Sequence, residues 1–195
     1  MKRIYFIRHG ETLANIEKRY SSTGGSPLTE KGISQAAKVV KDMSGLNLGM
    51  IYSSPLDRCI SLAQDLSKEM SLEPIVDERI REYQFGVLDN LTWKEAERKQ
   101  PDEFRQFCEN PATYKIPEGE SLSEFNSRVA GFVDEMLSKD GDAAVVTHAG
   151  VIRSALAELL CLDEIQRWIF KIRNGSVTLV EIDNDIPALV LREGL

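Results

Sequence analysis

Only two histidines occur among the 195 residues, and both stand where a short apolar run stops. His9 follows Ile4-Tyr5-Phe6-Ile7 and Arg8, while His148 follows Ala144-Val145-Val146-Thr147. Short runs of this kind, bounded by Gly10 and by Ala149-Gly150, read as buried strands emptying into loops. In an open α/β sheet the ligand crevice lies at the carboxyl ends of the strands, so both imidazoles are expected at one edge. Arg8 is adjacent to His9. Arg58 falls in the first turn of a helix that Ser54-Pro55 is expected to open, with serine as N-cap and proline at the first helical position. Guanidinium forks and a helix N-terminus both suit a phosphate anion. Together these groups make a nucleophilic mechanism concrete, in which one imidazole attacks phosphorus while the cations neutralise the equatorial oxygens. Neither histidine has the HExxH or CxxC context of a metal ligand, so no metal and no other cofactor is expected.

The elements that must position these groups follow from spacing. Behind Thr29, a reasonable N-cap, Ile33, Ala36, Ala37 and Val40 recur at helical intervals, with Gly45 beyond. Met50-Ile51-Tyr52 reads as a second strand, and the helix after Ser54-Pro55 has an apolar face of Leu56, Cys59, Ile60, Ala63 and Leu66. After His148, residues Val151, Ile152, Ala155, Leu156, Leu159 and Leu160 form another helical stripe. This alternation predicts a three-layer α/β/α fold with a mostly parallel central sheet. Two capping boxes, Thr92 to Glu95 and Ser121 to Glu124, mark helix starts. The second introduces a helix with Leu122, Phe125, Val129, Phe132, Val133 and Met136 on one side. Residues 89–120, with Pro101, Pro111 and Pro117, form the expected helical lid insert. Val177 to Ile182 and Ala188 to Leu191 suggest a terminal strand pair whose last member is an edge. No linker or repeat divides the chain, which reads as one domain over residues 1–195.

Charge and composition narrow the partners. With 24 basic and 31 acidic residues the net charge is -7, which argues against a nucleic-acid backbone as partner. Hydrophobic residues at 42% and charged residues at 28% are ordinary for a globular chain, which at this size buries roughly 70% of its unfolded surface. The apolar run before Arg8 is too short for a signal-peptide core and no run reaches spanning length, so a cytoplasmic location without a membrane partner is expected. Cys59, Cys108 and Cys161 lie far apart without a CxxC pair and read as small buried hydrophobes. The terminal edge strand is compatible with a homodimer and equally with a capped edge.

Five blocks appear in order: Arg8-His9-Gly10-Glu11-Thr12 with Asn15; Pro27-Leu28-Thr29-Glu30-Lys31-Gly32 with Gln35-Ala36; Ser53-Ser54-Pro55-Leu56-Asp57-Arg58; Arg81-Glu82-Tyr83-Gln84-Phe85-Gly86; and His148-Ala149-Gly150-Val151-Ile152-Arg153. Together they resemble the histidine phosphatase superfamily in its phosphoglycerate-mutase-like branch, from residue 3 to about 155. The resemblance implies a phosphohistidine mechanism. His9 would be the nucleophile; Arg8, Arg58 and His148 would surround the phosphoryl oxygens. Glu82 matches the family's acid, which protonates the departing alcohol and then activates the water that hydrolyses phosphohistidine. Read without the resemblance, Glu82 is one of 31 acidic residues in a charged stretch. Asn15 and the Ser22-Thr23-Gly24 segment match a region of further phosphate or substrate contacts. This chain departs from the common pattern at Ser26, where many relatives carry aspartate, at Ala149 in place of glycine, and at Asp89-Asn90 in place of Glu-Gly.

The resemblance also bears on the substrate, a small phosphorylated molecule. The compact chain and Gln84-Phe85-Gly86 look more like hydrolytic members than mutases. Pro117-Glu118-Gly119-Glu120-Ser121-Leu122 and the His148 block resemble α-ribazole phosphatases, which act in cobalamin assembly. A phosphatase of broad substrate range and a cofactor-dependent phosphoglycerate mutase are the alternatives. Trp93, Phe104, Phe107 and Tyr114 could wall a binding site or, more plainly, anchor the insert to the body.

Overall fold

The computed structural model describes residues 1–23, 25–163, 166–184 and 186–190; Gly24 and Leu191 of the sequence readings lie outside them. Six strands form one sheet: β1 (Lys2–Arg8), β2 (Met50–Ser53), β3 (Pro74–Val76), β4 (Ala143–Thr147), β5 (Val177–Asp183) and β6 (Ile186–Val190). Their order is β3-β2-β4-β1-β5-β6. The first four in that order run parallel, whereas β5 and β6 add an antiparallel pair that ends at an edge. The sheet is therefore mixed but mostly parallel, as the alternation predicts. Strand β3 has no counterpart in the sequence reading, because three residues are too few to show a period.

Among the described residues seven α-helices surround it: α1 (Leu13–Glu17), α2 (Glu30–Met43), α3 (Asp57–Met70), α4 (Trp93–Lys99), α5 (Pro101–Glu109), α6 (Leu122–Leu137) and α7 (Ala149–Leu159). Successive strand residues face opposite ways, and each face has its own core. Ile4, Phe6, Tyr52 and Val145 pack with Phe125, Val129 and Phe132 of α6 and Ile152 and Ala155 of α7. Tyr5, Ile7, Ile51, Ala144 and Val146 pack with Val39 and Met43 of α2 and Leu62 and Leu66 of α3. These two cores make the three layers.

Several expectations are corrected. Helix α2 buries Gly32, Val39 and Met43, whereas Ile33 is 59% exposed and Ala37 is exposed too. The reason is a backbone contact: a Cβ on Gly32 would collide with the main chain of Glu11, so α2 approaches the loop after β1 through Gly32 and its face turns by one residue. Helix α3 starts at Asp57, with Leu56 as a cap that has no side-chain hydrogen bond, rather than at Pro55 behind a Ser54 cap. Ser54 is engaged elsewhere, as described below. Cys59 is buried, but Cys108 and Cys161 are exposed.

In the insert both capping boxes form, at Thr92 and Ser121. Phe107 packs with Tyr20, Tyr83 and Phe85 at centroid distances of 6.0, 6.3 and 6.3 Å, and Trp93 stacks edge-on to Phe104 at 4.6 Å. The Tyr114 hydroxyl donates to Glu103. Phe104, Phe107 and Tyr114 pack against the body's core, the plainer of the two readings, whereas Trp93 is 56% exposed and touches Phe104 within the insert.

Candidate active site

Strand order brings the chemistry together. Because β2, β4 and β1 are neighbours, with Ser53 paired to Val146 and Arg8 paired to Thr147, the residues that follow each strand meet at one edge. Ser54, His148 and His9 are those residues. The two imidazoles, 139 positions apart in the chain, lie 5.2 Å between centroids at an interplanar angle of 60°.

His9 is 3% exposed, and its Nδ1 is hydrogen-bonded to the Gly10 carbonyl at 2.7 Å. A carbonyl only accepts, so Nδ1 carries the proton and Nε2 the lone pair. Burial, then the positive charges of Arg58 and Arg8, push the His9 pKa down to about 3, which keeps the ring neutral. His148 is fully buried and its pKa is lowered by the same causes, burial first. Its Nε2 lies 2.7 Å from Ser54 Oγ, and Cys59 Sγ lies 3.6 Å from the same nitrogen. The Cys59 thiol is pushed up to about 12, chiefly by burial, so it stays protonated.

Cations and donors line the same space. Arg58 is 7% exposed and donates to the Ser21 carbonyl at 3.0 Å. Arg8 donates through Nη1 to the Ile172 carbonyl at 2.8 Å, while its enclosed Nε has no partner. A buried donor without an acceptor is unusual, and an anion oxygen would satisfy it. Burial outweighs the nearby Glu82 carboxylate and, with Arg153 and Arg58, lowers the Arg8 pKa. Helix α7 begins at Ala149 with His148 as a cap that has no side-chain hydrogen bond, so its first N–H groups are open to an anion. Asn15 closes the capping box of α1, and its Oδ1 accepts from Asn174 Nδ2 at 2.8 Å. That leaves its own amide N–H groups as donors.

Glu82 follows the 3₁₀ turn at Glu78–Ile80, which Thr147 Oγ1 ties to the end of β4 through the Ile80 carbonyl at 2.7 Å. Its Oε1 accepts from the Tyr83 N–H at 3.0 Å and sits so close to α7 that a Cβ on Gly150 would fall inside 3.0 Å of it. The structure thus brings Arg8, His9, Asn15, Arg58, Glu82 and His148 to one edge. Thr23 lines a cleft with Arg58 and Arg81; it is exposed, and its Oγ1 donates to Asp89 Oδ2 at 2.6 Å. Asp89 also receives the Ser22 N–H at 2.6 Å, so the departure from Glu-Gly at this position braces the 22–23 loop. Among the described residues no group of three or more His, Cys, Asp or Glu side chains forms a metal site.

Sequence reasoning missed one wall entirely. Arg153 donates through Nε to the Phe170 carbonyl at 3.0 Å, Arg8 holds Ile172, and Gly175 N–H donates to the His9 carbonyl at 3.0 Å. Residues 170–175 therefore fold against the site, although no motif marks them and the resemblance stops near 155. Ser54 stands in the third sequence block, where its spacing suits a helix cap, and a polar side chain directly after a strand is the local signal of its place at the site.

Known proteins are similar to this chain along most of its length. "Phosphoserine phosphatase 1" of Hydrogenobacter thermophilus is 30% identical over 94% of this chain and 88% of its own length. "Probable phosphoglycerate mutase GpmB" of Yersinia pestis is 31% identical, with coverages of 93% and 85%. The α-ribazole phosphatase structure from Shigella flexneri superposes with a TM-score of 0.88 at 25% identity, covering 97% of this chain and 95% of that one. The family model described as histidine phosphatase superfamily, branch 1, matches residues 4–193, and on that match the chain belongs to the histidine phosphatase superfamily and is a phosphatase.

Proposed function

We propose that the chain hydrolyses small phosphomonoesters through a phosphohistidine on His9. The observation that carries this reading is a neutral, buried imidazole whose Nδ1 is held by Gly10, which leaves the lone pair on Nε2, in the field of the Arg58 and Arg8 cations. In the first step the Nε2 lone pair forms an N–P bond as the ester P–O bond breaks. The leaving oxygen keeps that electron pair and takes a proton from the Glu82 carboxyl. In the second step the Glu82 carboxylate accepts a proton from water, whose oxygen attacks phosphorus, and the N–P bond breaks to return its electrons to Nε2. Arg8, Arg58 and the α7 N–H groups stabilise the charge on the equatorial oxygens in both steps, while Asn15 and His148 add hydrogen bonds. Hydrogen-bonding to Gly10 fixes the tautomer and supports the ring as it becomes positively charged.

For the substrate, the leading reading is α-ribazole 5'-phosphate. The Pro117 to Leu122 and His148 to Arg153 motifs support it, together with the Shigella flexneri structure of that name. A second reading, phosphoserine, is supported by the Hydrogenobacter relative. The test is phosphate release in chelator-treated buffer from α-ribazole 5'-phosphate, phosphoserine, 3-phosphoglycerate and an aryl phosphate, with His9→Ala as control. A marked kcat/KM preference names the substrate, and flat weak rates reject both readings. The mechanism itself requires an acid-labile, base-stable phosphoryl group on His9 after rapid quench; its absence during turnover would reject the nucleophile.

A further inference from the structure

The segment Pro117-Glu118-Gly119-Glu120-Ser121-Leu122 leads into α6 and has no part in the chemistry above, yet Glu120 is the only buried acidic residue among the described residues, at 7% exposure. Its carboxylate receives a two-nitrogen fork from Arg128, Nε to Oε2 at 2.9 Å and Nη2 to Oε1 at 2.6 Å. Both side chains are largely withdrawn from water, at 18% and 9% side-chain exposure. A buried pair of this kind recovers its desolvation cost only with good geometry and further hydrogen bonds. Here those bonds converge on one target. Arg128 also donates to the carbonyls of Arg79 at 2.6 Å, Arg81 at 2.7 Å and Glu82 at 3.1 Å. Glu120 in turn accepts the Gln84 N–H at 2.8 Å, and its main chain receives the Tyr83 hydroxyl at 2.7 Å and donates to the Gln84 carbonyl at 3.1 Å.

With Thr147 on Ile80, four successive carbonyls from Arg79 to Glu82 are each held by a side chain. That stretch has no sheet or helix ladder beyond the 3₁₀ turn at Glu78–Ile80 to hold it. Its one carboxyl is that of Glu82, a short side chain whose reach is set by the backbone beneath it. The guanidinium also lies 4.7 Å from the Phe125 ring, which borders Gly150 on the side where Glu82 sits.

We infer that the Arg128–Glu120 pair is a positioning device for Glu82, setting the carboxyl against the leaving oxygen without taking part in phosphate binding. The inference rests on the proposed role of Glu82 as proton donor and locates its control outside the pocket. A misplaced acid slows the departure of a poor leaving group but hardly that of a phenolate, which leaves without a proton. General structural damage slows both alike.

The experiment measures kcat/KM, which reports the steps through phosphorylation of His9, for an alkyl phosphomonoester and for p-nitrophenyl phosphate. Arg128→Gln and Glu120→Gln are compared with wild type and Glu82→Gln. Glu120→Gln keeps an oxygen for the Gln84 N–H and removes the charge and the acceptor for Arg128 Nε, so it tests the pair when Arg128→Gln fails to fold. In both variants the alkyl ester is expected to lose about 10- to 100-fold and the aryl ester less than about 3-fold, a part of the 10²–10⁴ available to a general acid. Glu82→Gln should show the same bias, enlarged. The alkaline limb of the alkyl kcat/KM profile, where a general acid loses its proton, should move in the variants. Equal losses on both esters, with the bias intact in Glu82→Gln, would overturn the positioning role alone. Absence of the bias in Glu82→Gln would overturn the assignment of Glu82 and the inference with it.

Discussion

Gly150→Ala separates catalysis from folding in a way that this structure makes quantitative. Gly150 lies in the first turn of α7 and is not among the residues with positive φ, so its backbone is open to any L-residue. An added Cβ would meet Phe125 Cζ at 3.5 Å, an ordinary contact, and would collide only with the Glu82 carboxyl. To regain van der Waals distance Glu82 must retreat by about 1 Å. Alanine is the better helix former by up to about 1 kcal/mol, so the fold gains or holds its stability. A displacement of about 1 Å in a catalytic group costs on the order of 10²-fold in rate. The variant should therefore unfold at or slightly above the wild-type Tm while kcat/KM for an alkyl phosphomonoester falls about 100-fold. Inorganic phosphate, as product inhibitor, should bind nearly as before, since Arg8, Arg58 and His9 are untouched. Thermal unfolding, initial rates and phosphate inhibition constants read all three quantities. Wild-type turnover in a folded Gly150→Ala protein would show that Glu82 does not work from the position it occupies against α7.

Three further outcomes follow from the same geometry. Glu82→Gln should lose about 10²–10⁴ in kcat/KM on alkyl esters with Tm and phosphate inhibition retained, and unchanged turnover would remove it from the acid role. Acid should destabilise the fold: between pH 6.5 and about 3 the unfolded chain binds a proton that folded His9 excludes, so stability falls on acidification by up to about 1.4 kcal/mol per pH unit. Urea unfolding at pH 8, 6.5 and 5.5 should show this slope in wild type and a shallower one in His9→Ala; equal slopes would contradict a neutral buried imidazole. Ser54→Ala leaves His148 Nε2 short of its hydrogen bond and should cost about 1–3 kcal/mol of stability and lower kcat, whereas a Tm and rate equal to wild type would make the Ser54 contact incidental.

The chemical groups themselves were legible in the residues. Two histidines placed after strand-like runs, with Arg8 beside one and Arg58 near a helix start, are local features, and local spacing is what a sequence displays directly. Short apolar runs and helical spacing located β1, β2, β4, α6 and α7 for the same reason, and the two capping boxes are local hydrogen-bond signatures that the structure repeats at Thr92 and Ser121. Where a backbone contact outranked the pattern, as at Gly32 against Glu11, the apolar face of α2 was misread by one residue and Ile33 was left in solvent.

What only tertiary structure decided are the relations between distant segments. The order β2-β4-β1, which sets Ser54, His148 and His9 side by side, depends on non-local pairing that no window of sequence contains. Ser54 looks like a helix cap until β4 places His148 within 2.7 Å of it, and nothing local to Thr23 foretells that Asp89 accepts its hydroxyl. Glu82 is one acidic residue among many until Arg128, Glu120 and Thr147 fix its backbone and Gly150 makes room for its carboxyl. Residue type supplies reactivity, and the sequence alone determines that. The pKa of His9, the tautomer of its ring and the placement of its acid depend on burial and on neighbours brought from other parts of the chain, which exist only once the chain has folded.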